Sequence, residues 1–145
     1  MTDADSANTI PIIIRGIDHV VLRVCDSERM VQFYCEILGC NVEKIQKKIG
    51  LVQLRAGRCL IDLVDVAGEL GRTGGAAPGE EGRNMDHLCL RIESFHAEAI
   101  KNHLQSHGVT PGEIVNRYGA EGDGPSLYLQ DPEGNTVELK GPPYN

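Results

Sequence analysis

The stretch Ile17-Asp18-His19-Val20-Val21-Leu22-Arg23-Val24 returns later in the chain as Met85-Asp86-His87-Leu88-Cys89-Leu90-Arg91-Ile92. The Asp, the His, one Leu and the Arg are identical, and the remaining positions are apolar or small. An internal repeat of this kind decides the reading of the whole fold. A duplicated strand bearing a duplicated imidazole is an economical way to bring two metal ligands together around a pseudo-twofold axis.

The likeness continues on the C-terminal side of both copies. Each is followed by a helical stretch ending near a glycine, Gly39 in the first and Gly108 in the second. Each then runs through β-type segments to a strand with a carboxylate, Asp62 in Leu60–Val64 and Glu138 in Thr136–Lys140. The second copy is the longer, and the glycine-rich run 118–125 accounts for most of the surplus.

Length and composition bound the answer. A chain of 145 residues is one domain. Halves of about 50–60 residues are marginal on their own, so the two fuse into one structure. The expected organisation is a flexible N-terminus with a lead-in strand over 1–15 (1–9 disordered, 10–15 the strand), then a single domain over 16–145. That domain divides into module one at 16–66, a linker at 67–84 and module two at 85–141. A net charge of −7 disfavours nucleic acid, whose nonspecific binding is driven by cationic side chains. Five cysteines without a C-x-x-C pair predict a reduced, intracellular and cytoplasmic protein. The short apolar run broken by Pro11 is neither a signal peptide nor a membrane span.

Within module one, Asp26 or Ser27 is placed to cap a helix whose apolar residues Met30, Phe33, Tyr34, Ile37 and Leu38 follow helical spacing. Strands are expected over 42–47, 51–55 and 59–64, the last two joined by a tight Ala56-Gly57 turn. The linker is glycine-rich, charged and without apolar period, a candidate flap. Module two repeats the order with a strand over 85–92, a helix over 95–106, a strand over 113–117, a loop over 118–125 and strands over 126–130 and 136–140. The Asp131-Pro-Glu-Gly-Asn135 turn has Pro and Gly where a reversal favours them. The fold class is therefore α+β, two βαβββ modules forming a curled mixed sheet.

Strand alternation then sorts the side chains. Val20, Leu22, Val24, Leu88, Leu90, Ile92, Leu127, Leu129, Val137 and Leu139 turn towards the helix-covered core. His19, Arg23, Asp62, His87, Ser126, Tyr128 and Glu138 fall on the opposite faces. Two imidazoles with one or two carboxylates suit a divalent first-row metal. His19, His87 and Glu138 are the first-choice ligands and Asp62 the further candidate. Ser126 and Tyr128 are candidate substrate contacts, since polar groups on a buried face need polar partners. His96, His103 and His107 lie on or beside the second helix as exposed bystanders.

The segments His19-Val-Val-Leu-Arg-Val, Phe33-Tyr-Cys-Glu-Ile-Leu-Gly39, Asp86-His87-Leu-Cys-Leu and Asp131-Pro-Glu-Gly-Asn-Thr-Val-Glu138-Leu together resemble the vicinal oxygen chelate superfamily. This is the glyoxalase/bleomycin-resistance/dioxygenase group, and the likeness spans nearly all of residues 16–141. It implies two βαβββ modules around a metal, with His19, His87 and Glu138 at widely shared ligand positions. Asp62 falls where glyoxalase I has a glutamate that binds metal and exchanges substrate protons. Arg23 matches an arginine that holds a glutathione carboxylate there, whereas Val66 replaces an asparagine that helps bind the same peptide. The run from Gly119 to Tyr128 also resembles fosfomycin-modifying members.

The expectation is a metal-dependent glyoxalase-like lyase or isomerase. It would bind a small substrate through two vicinal oxygens on Zn, Ni, Mn or Fe, with Asp62 and Glu138 as catalytic groups and Arg23, Ser126 and Tyr128 as substrate contacts. Fosfomycin-type addition, ring-cleaving dioxygenation and metal-free binding of a small molecule are the alternatives. The resemblance further implies a homodimer, in some members with each site built from modules of two chains.

Overall fold

The computed structural model describes residues 10–144. Its strands are β1 (His19–Val24), β2 (Asn41–Gln46), β3 (Leu51–Ala56), β4 (Cys59–Asp65), β5 (Leu88–Arg91), β6 (Val115–Gly119), β7 (Gly122–Gln130) and β8 (Thr136–Lys140). Helix α1 (Ser27–Gln32) continues into a wider π turn, Phe33–Ile37, and α2 spans Ala97–Ser106. The expected α+β class with two βαβββ modules is observed. Each module builds its own four-stranded mixed sheet, in the orders β1-β4-β3-β2 and β5-β8-β7-β6.

Local chemistry explains the elements. Asp26 caps α1, its side chain accepting from the Arg29 N–H at 3.1 Å. Gly39 and Gly108 follow the two helical segments with φ of 82° and 76°, a conformation open to glycine at little cost. A strand running parallel to its predecessor needs a crossover. In module one that crossover is α1 and the β2–β3 hairpin, after which β4 returns beside β1 in parallel register. Module two repeats this with α2, β6 and β7 before β8 returns beside β5.

The core is one cluster shared by both modules. Leu22, Val24, Met30, Phe33, Tyr34, Leu54, Ile61 and Leu63 meet Leu104, Leu127, Leu129, Val137 and Leu139 within it. Val20, Leu88, Leu90 and Ile92 pack against its edge, as the alternation predicts. Polar ties reinforce the joint. The Tyr34 hydroxyl donates to Asp131 Oδ2 at 2.8 Å in a buried contact. Asp131 also accepts from the backbone N–H groups of Glu133 and Asn135, both at 2.9 Å, which shapes the turn before β8. Glu133 then reaches across to accept from the N–H groups of Cys25 and Asp26, just ahead of α1. Burial beside that acid raises the Tyr34 phenol far above its ordinary pKa.

Three expectations are corrected. Residues 10–15 form no strand; Ile12, Ile13 and Ile14 are exposed and find no ladder partner. The expected disorder of 1–9 lies outside the described residues. The run 118–125 is not a loop but the tip of a β6–β7 hairpin, with Gly119 opposite Gly122. Glycines there are filled from the side: a Cβ at Gly119 or Gly124 would meet the buried Lys140 side chain at 3.0 Å or less. β5 begins at Leu88, so His87 stands just before it.

Replacing Tyr34 with Phe removes the hydroxyl while keeping the ring. The loss of one hydrogen bond to a carboxylate predicts destabilisation of about 1–2 kcal/mol in urea unfolding. A change below about 0.5 kcal/mol would show that this contact does not help to join the modules.

Candidate metal centre

The two repeats place a histidine beside a carboxylate twice. In the β1/β4 ladder Asp62 is the partner of Val21, two residues beyond His19. In the β5/β8 ladder Glu138 is the partner of Cys89, two residues beyond His87. The same offset gives His19 Nε2 at 4.0 Å from Asp62 Oδ2 and His87 Nε2 at 3.3 Å from Glu138 Oε1. Both carboxylates are buried, at 5% exposure each, while the imidazoles remain partly open.

Neighbours orient each pair. His19 Nδ1 lies 2.8 Å from Asp18 Oδ1, and His87 Nδ1 lies 2.7 Å from Asp86 Oδ2. A proton on Nδ1 would satisfy both contacts and leave the Nε2 lone pair for an ion held between the imidazole and the acid. Outer carboxylates behind ligating histidines act in this way in metal sites. The His19 pKa is raised from 6.5, first by its hydrogen bond to Asp18 and then by the charge on Asp62. Sequence reasoning noticed the repeated Asp-His dipeptide but assigned the Asp no role.

Each carboxylate also has a donor on the adjoining strand. Gln53 Nε2 lies 3.3 Å from both Asp62 oxygens. Ser126 donates to Glu138 Oε2 at 2.6 Å and accepts from Arg117 Nη1 at 3.0 Å. Gln53 and Arg117 were not singled out in the sequence, because neither falls in the repeated segments. Cys89 is a further neighbour of Glu138; burial, with the charge and hydrogen bonding of that acid, pushes its thiol up to about 11.

The structure places the expected site residues as follows. His19, His87, Glu138 and Asp62 do not converge within one chain. They form two pairs, and among the described residues no three His, Cys, Asp or Glu side chains are grouped to hold an ion. The physical reason is that each sheet is complete in itself and no ladder joins β1 to β5. Second, Arg23 is spent on the linker. Its Nη1 donates to the Ala76 carbonyl and its Nη2 to those of Gly71 and Gly75, each at 2.9 Å. Gly74 makes this possible, since a Cβ there would stand 2.5 Å from Arg23 Nε. Arg23 thereby clamps the short 3₁₀ turn Gly71–Gly74, and the linker is tied down there. Third, Ser126 is fully buried between Arg117 and Glu138 and hydrogen-bonded to both. Tyr128 stays half-buried, its ring edge-on to His87 at 5.5 Å between centroids.

The donor chemistry of each pair fits two positions of a divalent ion: one imidazole Nε2 and one carboxylate oxygen. Two such pairs make the four-ligand set expected from the sequence, provided something brings them together.

The model of the Glyoxalase/Bleomycin resistance protein/Dioxygenase superfamily matches residues 16–139. Glyoxalase domain-containing protein RDO1 of Mycosarcoma maydis is 34% identical over 128 residues, covering 87% of this chain and 68% of its own length. A probable lactoylglutathione lyase of Synechocystis is 26% identical over 130 residues, covering 83% and 91% respectively. The crystal structure of virulence protein STM3117 from Salmonella typhimurium matches with a TM-score of 0.69 at 27% identity, over 90% of this chain and 98% of that one. With its duplicated βαβββ architecture and a match over nearly its whole length, this chain belongs to the glyoxalase/bleomycin resistance/dioxygenase superfamily.

Proposed function

We propose that this protein is a metal-dependent, glyoxalase-like lyase or isomerase that works as a homodimer. The carrying observation is the pair of equivalent half-sites, His19–Asp62 and His87–Glu138, each beside a strand at the edge of its sheet. An edge strand presents unpaired N–H and C=O groups, a ready template for another chain. At the open edge of β1 the Arg23 N–H and C=O are taken by the Asn84 side chain at 2.9 and 3.0 Å. Setting β1 of one copy beside β5 of another would complete two four-ligand sites per dimer. His19, Asp62, His87 and Glu138 would hold Zn, Ni, Mn or Fe, in the reduced surroundings of the cytoplasm.

When bound, such an ion supplies a Lewis acid for two neighbouring substrate oxygens and steadies the enolate or oxyanion formed between them. The chain's own residues do the rest. Asp62, buried and held by Gln53, would take a proton from substrate carbon and return it to the neighbouring one. Glu138 is held from behind by Ser126, so its Oε1 is left for the ion. Tyr128 sets its ring edge-on to His87 beside this pair.

The absence of any three-group cluster among the described residues favours a second reading, a metal-free binding protein on the same scaffold. Subunit complementation separates the two. His19→Ala and His87→Ala homodimers should each lose most of their metal affinity. Mixing and reassociating the two variants should restore one intact site per mixed dimer, read as about half the wild-type metal content of those dimers. No uptake by the wild-type protein would favour the metal-free reading, and unrestored uptake would contradict the shared site.

The Asp18 contact predicts the pH dependence. A raised imidazole pKa means that protons compete with the ion at pH values above the ordinary 6.5. Metal affinity should therefore climb as pH rises through that raised pKa. Asp18→Asn should move the climb to lower pH in calorimetric titrations; an unmoved curve would remove Asp18 from the account.

A further inference from the structure

The sheet face that carries Glu138 also holds a cation that touches neither His–carboxylate pair directly. Arg117 on β6 lays its guanidinium over the ring of Tyr128, 4.1 Å from its centroid. From the other side Ser126 fixes it, Nη1 donating to Oγ at 3.0 Å and to the Ser126 carbonyl at 3.4 Å. Cation–π contact and hydrogen bonding together hold the side chain in one pose before any ligand arrives.

Its remaining donors have no protein partner among the described residues. Arg55 is paired with Glu43 and Arg91 with Glu121, whereas no carboxylate lies within 4.0 Å of Arg117 among the described residues. Both of its hydrogen bonds to protein leave from Nη1, so Nε and Nη2 have no protein partner there. Those two groups share the guanidinium edge that matches the two oxygens of a carboxylate. In a chain of net charge −7, Arg117 is half-buried and that edge has no partner among the described residues. Glu138 lies two hydrogen bonds away through Ser126, within the span of a small molecule bound at the His87–Glu138 pair.

We propose that Arg117 is a specificity-determining residue whose free Nε–Nη2 edge, held by Tyr128 and Ser126, binds a carboxylate of the substrate. The inference rests on the metal-site reading above, because it places the chelating oxygens beside Glu138 and the carboxylate beside Arg117. The substrate class is then a small monocarboxylate with two neighbouring oxygens elsewhere in the molecule. A dianionic phospho group would call for more cationic donors than one guanidinium edge supplies.

Three probes test this by calorimetry on the metal-loaded protein: catechol, which offers two neighbouring oxygens and no carboxylate, and the 2,3- and 3,4-dihydroxybenzoates, which add one in two placements. At least one dihydroxybenzoate should bind wild type about tenfold or more tightly than catechol, in the range of a charge-assisted bidentate contact. Arg117→Met should bring that ratio close to one, and Arg117→Lys should restore only part of it, because an ammonium lacks the fork. Equal binding of all three probes to wild type, or a ratio that survives Arg117→Met, overturns the inference and leaves the metal site standing. If Arg117→Met weakens all three equally, Arg117 acts only through Ser126 and Glu138, and the anchoring role is overturned. If the protein takes up no metal and binds none of the probes, the metal-site reading falls and this inference falls with it.

Discussion

Parallel pairing of the first and last strand of each module is the constraint on which the rest depends. A parallel partner cannot be reached by a tight turn, so the chain must travel through a helix and a hairpin before it returns. That detour supplies the apolar helix face that covers one side of the sheet. The return then sets a histidine and an acid on the other side at one fixed offset. Asp62 stands opposite Val21 and Glu138 opposite Cys89, each two residues past its histidine. A slip of one residue would turn either carboxylate into the helix-packed core. Register, more than any single contact, therefore makes the two pairs.

The joint between modules decides what those pairs can do alone. Tyr34, Asp131 and Glu133 bind the first helical segment to the turn before β8, and one apolar cluster runs through both halves. This packing leaves β1 and β5 at separate sheet edges. In the dimer proposed above, a second copy would complete the two His–carboxylate pairs that lie beside these open edges. The arginine clamp on the linker fits the same picture, since Arg23 secures the chain between modules near the β1 edge.

Much of this was legible in the sequence, for physical reasons. The repeated Asp-His strand, the glycines closing both helical segments and the Asp-Pro-Glu-Gly-Asn turn are local signals, and local geometry follows from them. Strand alternation likewise separated core residues from the face bearing His19, Asp62, His87 and Glu138. What did not follow was long-range. Nothing in spacing says whether two sheets within a chain join edge to edge, so convergence of four ligands could not be read from two matched pairs. Arg23 looked available because its neighbours in sequence are apolar; its actual partners are carbonyls some fifty residues away in a glycine-rich linker. Ser126 is fully buried, and its partner Arg117 lies across the hairpin. That hairpin was hidden by a glycine run that reads as a loop, and the buried Lys140 side chain fills the space its missing side chains leave.

The claim that each half-site is finished by another copy can be tested most directly by anomalous diffraction at a metal absorption edge, from crystals grown with the ion. The account predicts one peak per site, flanked by His19 and Asp62 of one copy and by His87 and Glu138 of a second. A peak bound by all four side chains of a single chain, or no peak at either pair, would contradict it.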